Sequence, residues 1–459
     1  MKTNERYKRL LKIIFGVILI LGLSSIYGFT WIGYYNRYVL QIPFFRRGNW
    51  VIILLYAVLL TFFMYTYGGF KVAYLKNSHL FYSQMISVIL VNMFTYLQIA
   101  VIDKRFVSPM YILLMTSAEA GFSILWMILF LMFYKSLFPP RKMLLVEGSK
   151  HDYYLQKKIS GREDKYQICE VVSYTEGWKN IRGKLELYDS VIIGDMPSHE
   201  RNIILKYCFE KGIRSYTVPK ISDILLKSSA EIELFDTPLY LSRNMGLTIE
   251  QDWAKRIEDI ILASLMLVCF APVFALAAIA IKCTDGGPVL YTQERLTLKG
   301  RRFRIYKFRT MIMDAEDLTG PVLASDKDPR ILPVGRFLRT TRLDELPQIF
   351  NILKGEMSLV GPRPERPELA EAIEKEIPEF SYRLKVKAGL TGYAQIYGKY
   401  NTSEYDKLKL DLTYIRQYSF LLDMKLIIMT LKIMFMKEST EGIKETGKSI
   451  KNNDEREKN

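Results

Sequence analysis

Residues 260–281 read IILASLMLVCFAPVFALAAIAI, an apolar stretch of 22 residues that contains no charged side chain. A helix of about 20 such residues is long enough to cross the hydrocarbon core of a bilayer. Pro272 lies at the middle, where proline removes a backbone donor and kinks or breaks a helix. Lys255, Arg256 and Lys282 flank both ends, so the flanking charge gives no orientation. We predict a re-entrant, proline-broken membrane helix; a kinked fifth span is the alternative.

Four further apolar runs of membrane-spanning length lie upstream of this stretch. Three of them, at 13–36, 48–70 and 77–102, contain no Lys, Arg, Asp or Glu. The fourth, at 106–134, contains only Glu119, which we expect to face another helix because an acid is costly against lipid. Eleven Lys or Arg residues lie in the N-terminal tail, in the loop between the second and third runs, and just after the fourth run. Five lie in the two other loops. This bias places the N-terminus and everything after residue 134 in the cytoplasm.

The next segment alternates short β-like runs with polar helical stretches. This alternation predicts a small α/β domain with a parallel sheet, similar to a Rossmann domain, with strands at 143–146, 168–172, 190–194 and 215–218. Its first turn, VEGSK, has the single Gly148 where a dinucleotide-binding turn needs three glycines. We therefore expect a degenerate domain that binds no NAD.

Residue usage excludes several classes of chemistry. The four cysteines are far apart, so neither a zinc site nor a disulfide framework is indicated. The three histidines all lie at or before His199, which excludes Ser-His-Asp triads and HExxH zinc sites from the second half. The formal charge is +16, and residues 295–342 contain twelve basic and five acidic residues. Such a segment suits a polyphosphate substrate, an anionic lipid surface, or both.

The strongest local pattern is RLDELPQIFN at 342–351. Pro347 fits only within the first turn of a helix, so this helix should begin near Asp344. Asp344 and Glu345, with arginines upstream, suit a magnesium ion and a phosphate together. The alternative is a helix cap, with Asp as the capping residue and Glu complementing the helix dipole.

Two flanking segments supply cations for such a site. RRFRIYKFRTM at 301–311 predicts a strand with Lys307 and Arg309 side by side on one face. SLVGPRPERPE at 358–368 predicts a loop stiffened by three prolines that displays Arg363, Glu365 and Arg366. A plain proline-rich connector is the alternative for the second segment.

Five ordered motifs together resemble the catalytic domain of bacterial polyprenyl-phosphate hexose-1-phosphate transferases, over about Trp253 to Met436. They are YKFRTM (306–311), DPR (328–330), LDELPQIFNILKGEMSLVGPRPE (343–365), GLTGYAQI (389–396) and DLTYIRQYSFLLDMKLIIMTL (411–431). With the upstream helices and α/β segment, the chain is similar to the long forms that start exopolysaccharide or capsule repeat units. It departs from the family pattern at Ala271, usually Ser, and Ala388, usually Pro.

The resemblance implies transfer of a sugar 1-phosphate from a UDP-sugar to undecaprenyl phosphate, with release of UMP. It makes Asp344 the nucleophile that forms an aspartyl phosphosugar, and Glu345 its dyad partner. It also implies contacts with substrate phosphate or uridine from Lys307, Arg309, Arg339, Arg363 and Glu365. Mg²⁺ or Mn²⁺ is expected, with Asp344 as a candidate ligand, whereas NAD and CoA are not. The sugar is not specified; glucose or galactose is the expectation from the long forms.

The predicted fold is a four-helix transmembrane bundle, a Rossmann-like α/β domain and a monotopic α/β-type catalytic domain with the re-entrant helix broken at Pro272. The predicted boundaries are 1–138 for the bundle, 139–245 for the α/β domain, 246–282 for the linker and re-entrant helix, 283–436 for the catalytic domain with interfacial helices, and 437–459 for a charged tail. We expect a multi-pass protein of the bacterial inner or cytoplasmic membrane, with a cytoplasmic catalytic domain.

The expected partners are the UDP-sugar, undecaprenyl phosphate and the bilayer, without nucleic acid. Homo-oligomerisation and contacts with other polysaccharide-assembly proteins stay open. Two rival interpretations are a catalytically inactive membrane scaffold for polysaccharide assembly, and a membrane-tethered nucleotide-sugar dehydratase or epimerase. The second needs an intact glycine-rich turn, which VEGSK does not provide.

Overall fold

The computed structural model describes residues 3–434 except 73, 150, 151, 161, 163, 164, 235, 243–245, 314–327 and 399–401. The charged tail predicted at 437–459 lies outside the described residues. The chain divides into two compact units after Lys220. The predicted domain boundaries stay a prediction.

Long apolar helices form the first part of the N-terminal unit. They are α1 (Thr3–Thr30), continued by a π-helical segment Trp31–Val39, α2 (Arg46–Tyr67), α3 (Asn77–Asp103) and α4 (Met110–Leu137). Glu119 of α4 is fully buried and accepts hydrogen bonds from Tyr56 Oη (2.6 Å) and Asn92 Nδ2 (2.7 Å). The expectation that this acid faces other helices is therefore confirmed.

The second part of this unit is a parallel sheet with helices between its strands. The strands are β1 (Arg141–Glu147), β2 (Tyr166–Ser173), β3 (Ser190–Ile193) and β4 (Arg214–Thr217), in the order β2-β1-β3-β4. The helices are α5 (Asp152–Ser160), α6 (Trp178–Leu185) and α7 (Ser198–Lys211). All four predicted strands are confirmed, and the likeness to a Rossmann domain stays a prediction. A Cβ on Gly148 would lie 2.3 Å from the Asp195 carbonyl oxygen, so close backbone approach explains this glycine without a cofactor.

The second unit begins with α8 (Ile221–Lys227) and an antiparallel hairpin, β5 (Ala230–Leu234) with β6 (Thr237–Leu241). The 37-residue helix α9 (Ile249–Asp285) follows and runs through Pro272 without interruption. The predicted break at Pro272 is therefore not observed. A proline removes one intrahelical hydrogen bond, and a helix can accommodate that loss by bending rather than ending. The re-entrant arrangement stays a prediction.

The rest of this unit packs around one hydrophobic core. The antiparallel pair β7 (Leu290–Leu296) and β8 (Arg302–Phe308) precedes α10 (Pro333–Thr341) and α11 (Gln348–Lys354). A second, parallel pair consists of β9 (Ser358–Val360) and β10 (Gly389–Thr391). The remaining helices are α12 (Pro367–Glu376), a 3₁₀ segment Pro378–Lys385, α13 (Tyr393–Tyr397), α14 (Glu404–Gln417) and α15 (Phe420–Met434). This mixed α/β arrangement agrees with the predicted catalytic domain.

Helices α9 and α15 share a buried ion pair and expose apolar side chains. Lys255 of α9 is buried and forms an ion pair with the buried Asp423 of α15, whereas Val268 and Leu421 are exposed. An inside-out pattern of this kind is expected where a surface faces lipid. Five described helices, α1 to α4 and α9, are long and apolar enough to cross a membrane. The chain is therefore a membrane protein.

Candidate active site

Two adjacent carboxylates lie in a short turn between helices α10 and α11. Arg342 ends α10 in the left-handed conformation, at φ 57°. Residues Leu343–Glu345 then form one 3₁₀ turn, and α11 begins only at Gln348. Helical backbone thus begins near Asp344, as predicted, but as a 3₁₀ turn, and the α-helix itself begins one turn later. The helix-cap alternative is not supported, because the residue that precedes α11 is Pro347 and no side chain caps this helix.

Glu345 is the centre of a three-residue ion cluster. Its Oε1 accepts hydrogen bonds from Lys307 Nζ and from Arg363 Nη2, each at 2.8 Å. The three side chains come from β8, the 3₁₀ turn and the loop after β9. The side chain of Glu345 is 14% exposed, that of Lys307 is 21% and that of Arg363 is 45%. The cluster is therefore partly buried, and its solvent-exposed side is formed by Arg363.

Asp344 has a different environment from its neighbour. Within the described part of the chain its carboxylate has no hydrogen-bond partner, so both oxygens remain available to a substrate. Burial and the charge of Glu345 raise the pKa of Asp344 to about 6, against the opposing charges of Lys307, Arg339 and Arg363. An open carboxylate that titrates near neutrality is a candidate nucleophile or metal ligand.

Glu345 is held in its ionised form. Burial alone would raise the pKa of Glu345, but the charges and hydrogen bonds of Arg363 and Lys307 outweigh it and hold that pKa well below its ordinary value. Neighbouring carboxylates with pKa values moved in opposite directions are typical of sites that divide two chemical roles between two acids.

The other predicted site residues divide between this cluster and its surroundings. Arg339, in the last turn of α10, is close enough for its charge to lower the pKa of Asp344. Glu365 lies in the same loop as Arg363, and its Oε1 is 3.6 Å from Arg383 Nη1. Arg309 is buried, and its guanidinium pairs with Asp285 (Nη1 at 2.6 Å) and donates to the Pro288 carbonyl at 2.7 Å. The structure thus brings Lys307, Arg339 and Arg363 to the dyad and engages Arg309 elsewhere.

Arg383 supports the loop that carries Arg363, a role that we did not predict from the sequence. Its Nη2 donates to the Arg363 carbonyl oxygen at 2.9 Å and lies 2.8 Å from a carboxylate oxygen of the buried Asp411. Burial raises the pKa of Asp411 to about 6, and the Arg383 charge opposes this shift. The only sequence signal was that Asp411 opens the DLTYIRQ motif.

Asn351 fixes the spacing between β8 and α11 and was also missed. It is fully buried, and its Nδ2 donates to the Arg304 carbonyl at 2.8 Å while its Oδ1 accepts from the Tyr306 amide at 3.0 Å. These bonds clamp the strand that carries Lys307 to the helix that follows Glu345. At the other end of α11, Arg256 donates to the carbonyls of Ile352 (2.6 Å) and Leu353 (2.7 Å). Helix α9 thereby caps α11.

The residues present fit a magnesium ion bound together with substrate. The described residues contain no group of three or more His, Cys, Asp or Glu side chains that could hold a metal alone. Mg²⁺ commonly uses one or two protein carboxylates and completes its shell with water and substrate phosphates. The open carboxylate of Asp344 offers such a ligand, whereas Glu345 Oε1 is already engaged by two cations.

Comparison with known protein families gives one match on this half of the chain. Residues 250–437, which contain α9 from its second residue onward and the whole candidate site, match the bacterial sugar transferase family.

Three named relatives illustrate the similarity. A UDP-glucose:undecaprenyl-phosphate glucose-1-phosphate transferase of Klebsiella pneumoniae is 34% identical over 261 residues, 56% of this chain and 54% of that protein. An Aeromonas hydrophila UDP-N-acetylgalactosamine-undecaprenyl-phosphate N-acetylgalactosaminephosphotransferase is 40% identical, over 53% of this chain and 58% of that protein. A Bacillus subtilis protein with the provisional name undecaprenyl-phosphate N-acetylgalactosaminyl 1-phosphate transferase is 48% identical over 130 residues, 28% of this chain and 72% of that protein. The chain thus spans about half the length of the two longer relatives.

Proposed function

The chain belongs to the bacterial sugar transferase family, and we propose that it transfers a sugar 1-phosphate from a UDP-sugar to undecaprenyl phosphate, releasing UMP. The observation that carries this proposal is the open Asp344 carboxylate beside the cationic pair Lys307 and Arg363. A diphosphate donor needs cations to neutralise its charge and a nucleophile placed beside them. The names of the relatives cover glucose and N-acetylgalactosamine, so the proposal is a UDP-hexose without a choice of sugar.

The proposed first step is attack of an Asp344 carboxylate oxygen on the phosphorus that bears the sugar. The bond from that phosphorus to the bridging oxygen breaks, and UMP leaves with the electron pair. A sugar phosphate is then held on the Asp344 side chain as an acyl phosphate. Arg363, the most exposed cation of the cluster, would contact the departing phosphate.

The proposed second step uses the lipid acceptor. A phosphate oxygen of undecaprenyl phosphate attacks the same phosphorus, the bond to the Asp344 oxygen breaks, and the carboxylate is regenerated. Throughout both steps the pairs with Lys307 and Arg363 keep Glu345 ionised, so its charge fixes those two cations at the site. A bound Mg²⁺ would supply charge neutralisation on the diphosphate, with Asp344 as its protein ligand.

The proposal also includes the location of the reaction. The inside-out pattern of α9 and α15 supports a catalytic unit seated at a membrane surface, where a lipid phosphate and a soluble nucleotide can meet. The charge bias of the N-terminal helices supports the cytoplasmic side of the bacterial inner membrane. This step would begin the assembly of an exopolysaccharide or capsule repeat unit.

The experiment that tests the function is UMP release by the purified full-length chain. The assay supplies undecaprenyl phosphate in detergent with a panel of UDP-hexoses and Mg²⁺. We expect UMP in stoichiometric amounts with a lipid-linked diphosphosugar from at least one donor. If the chain releases no UMP from any donor, although a cooperative thermal unfolding transition shows that it is folded, the inactive-scaffold alternative would be supported instead.

A further inference from the structure

The segment of α9 just before its apolar stretch is charged, with the sequence KRIED at 255–259. The transfer reaction proposed above gives these residues no role. Lys255 and Asp259 are nevertheless buried, at 5% and 2% exposure, which is rare for charged side chains. Together with Arg256, they bind the helix that follows Glu345 and the strand that precedes Arg363.

Asp259 holds strand β9 where this strand leads into the loop that carries Arg363. Its Oδ1 accepts hydrogen bonds from the Leu359 amide at 2.8 Å and from Ser358 Oγ at 2.9 Å. The side chain of Ser358 is fully buried. Leu359 lies four positions before Arg363, and Pro362 between them fixes one of the intervening φ angles. The contact with Asp259 therefore restricts where the loop can place Arg363.

Lys255 reaches the same strand through a tyrosine. Its Nζ donates to Tyr414 Oη at 3.1 Å, and Tyr414 Oη donates to the Val360 carbonyl oxygen at 3.2 Å. Both Lys255 and Tyr414 are buried, so these bonds are sheltered from water. Helix α9 thus binds an amide of β9 directly and a carbonyl of β9 through Tyr414.

Arg256 binds the other side of the catalytic cluster. It lies three positions before Asp259, so the two side chains are neighbours on the surface of α9. Its guanidinium donates to two carbonyl oxygens in the last turn of α11, at 2.6 and 2.7 Å. Helix α11 begins three residues after Glu345. One turn of α9 thus joins the helix behind Glu345 to the strand before Arg363, and these two side chains meet at 2.8 Å.

We propose that Asp259 is a positioning residue for the transfer reaction and that it acts through Arg363. The inference rests on the proposed function, in which Arg363 contacts the departing phosphate. Asp259 fixes the strand before Arg363 to the helix turn that also holds α11, so the guanidinium is presented to Glu345 and to the substrate in one geometry. Charge-assisted contacts of arginine with phosphate depend on such a geometry. The charged turn of α9 then belongs to the frame of the active site.

The first experiment measures whether Asp259 holds the loop, and it requires no turnover. Amide hydrogen exchange of the full-length chain in detergent, read by mass spectrometry, follows the peptide 359–366. Asp259→Ala removes the acceptor and should speed exchange of this peptide at least about tenfold, with no change in α10. Asp259→Asn keeps an acceptor oxygen and should stay within about threefold of the unchanged chain. The control is Asp252→Asn, an exposed acid in the first turn of α9, which should leave exchange unchanged.

The second experiment measures whether Asp259 acts through Arg363. The value of kcat/KM for UMP release is compared for Asp259→Ala, for Arg363→Ala and for the chain with both changes. Alone, Asp259→Ala should lower kcat/KM at least about tenfold. In the chain with Arg363→Ala, the same change should lower it less than about twofold, because the positioned group is absent. An equal decrease in both backgrounds would show a merely structural role and overturn the proposal.

Two further results would overturn the proposal. The first is unchanged exchange of the peptide 359–366 in a folded Asp259→Ala chain. The second is an Asp259→Asn chain as impaired as Asp259→Ala, since the acceptor oxygen would then not be the group that matters. If Asp259→Ala does not fold, Ser358→Ala replaces it in both experiments, because it removes one of the two bonds, and about a threefold effect is expected. The exchange experiment does not depend on UMP release, so failure of the transfer reaction and failure of this inference are distinguishable.

Discussion

Replacing Glu345 by Gln removes one charge from the candidate site and leaves its shape almost unchanged. Both Lys307 and Arg363 donate to the same oxygen, Oε1, and a glutamine carbonyl can accept both bonds. The change therefore converts two charge-assisted hydrogen bonds into bonds to a neutral acceptor. It also leaves Asp344 without its negatively charged neighbour.

The size of the effect follows from these two bonds. A hydrogen bond to a charged group contributes about 1 kcal/mol more than a neutral one. The bond from Lys307 is sheltered and should lose about this amount, whereas Arg363 is 45% exposed, so solvent screening roughly halves its loss. A total of about 1.5 kcal/mol corresponds to about a tenfold decrease in kcat/KM for the UDP-sugar at pH 8.

The pH profile carries the sharper test. If Asp344 must be ionised to attack, activity rises with pH through its pKa, which burial and the charge of Glu345 raise to about 6. Glu345→Gln removes the charge of Glu345, so the pKa of Asp344 should fall. The rise of activity with pH should then occur at lower pH than in the unchanged chain. The deficit of the variant should therefore be smaller at pH 5 than at pH 8.

The assay is initial-rate UMP release from pH 4.5 to 8.5 with saturating undecaprenyl phosphate. The control is Glu294→Gln, an exposed carboxylate 3.7 Å from Arg302, which should keep the profile of the unchanged chain. A rise of activity that stays at the same pH or moves to higher pH in Glu345→Gln would refute the coupling of the two carboxylates. Full activity of the variant at every pH would refute the role of the charge.

Three further predictions concern the metal, the support of the site and the topology. Activity should vanish in excess EDTA and return with Mg²⁺ or Mn²⁺ but not with Zn²⁺, and full activity in EDTA would exclude a metal. Arg383→Met leaves the buried Asp411 carboxylate without its ion-pair partner and should lower the free energy of unfolding by about 3 kcal/mol. The decrease should be larger at pH 8 than at pH 5, because burial disfavours the ionised form of Asp411. The added change Asp411→Leu should restore part of this loss in thermal unfolding, and no restoration would contradict the pairing. The topology test uses variants that keep a single native cysteine, either Cys283 or Cys169, both of which are exposed. If α9 is re-entrant, a membrane-impermeant thiol reagent should label both variants from the same side of the membrane, whereas a variant that keeps only the buried Cys208 should not react. Labelling from opposite sides would establish a fifth span.

The sequence identified the central residues of the site because each lies within a distinctive local motif of its own. Lys307, Glu345 and Arg363 come from three such motifs, and the structure joins them through one oxygen atom. Strand alternation predicts Arg309 on the same face as Lys307. Strand β8 ends at Phe308, and the Arg309 guanidinium instead reaches Asp285 at the end of α9.

The remaining differences come from contacts between distant parts of the chain. Asp411 and Arg383 are 28 positions apart, and no spacing rule predicts their ion pair. Arg342 ends α10 in the left-handed conformation, which non-glycine residues seldom adopt and which the sequence does not signal. Ala388, which departs from the family pattern, donates its backbone amide to Thr297 Oγ1 at 3.1 Å. A proline has no such donor, so this departure adds a hydrogen bond here.

The most direct test of the proposed mechanism is to trap the sugar phosphate on Asp344. The purified chain is mixed with a UDP-sugar that carries radioactive phosphorus next to the sugar, without lipid acceptor, and is then denatured, digested and analysed by mass spectrometry. The mechanism predicts label on the peptide that contains Asp344, loss of that label when undecaprenyl phosphate is added, and no label on Asp344→Asn, which should also lose turnover by several orders of magnitude. Near-normal UMP release by a folded Asp344→Asn chain, or label on a different residue, would contradict the assignment of the nucleophile.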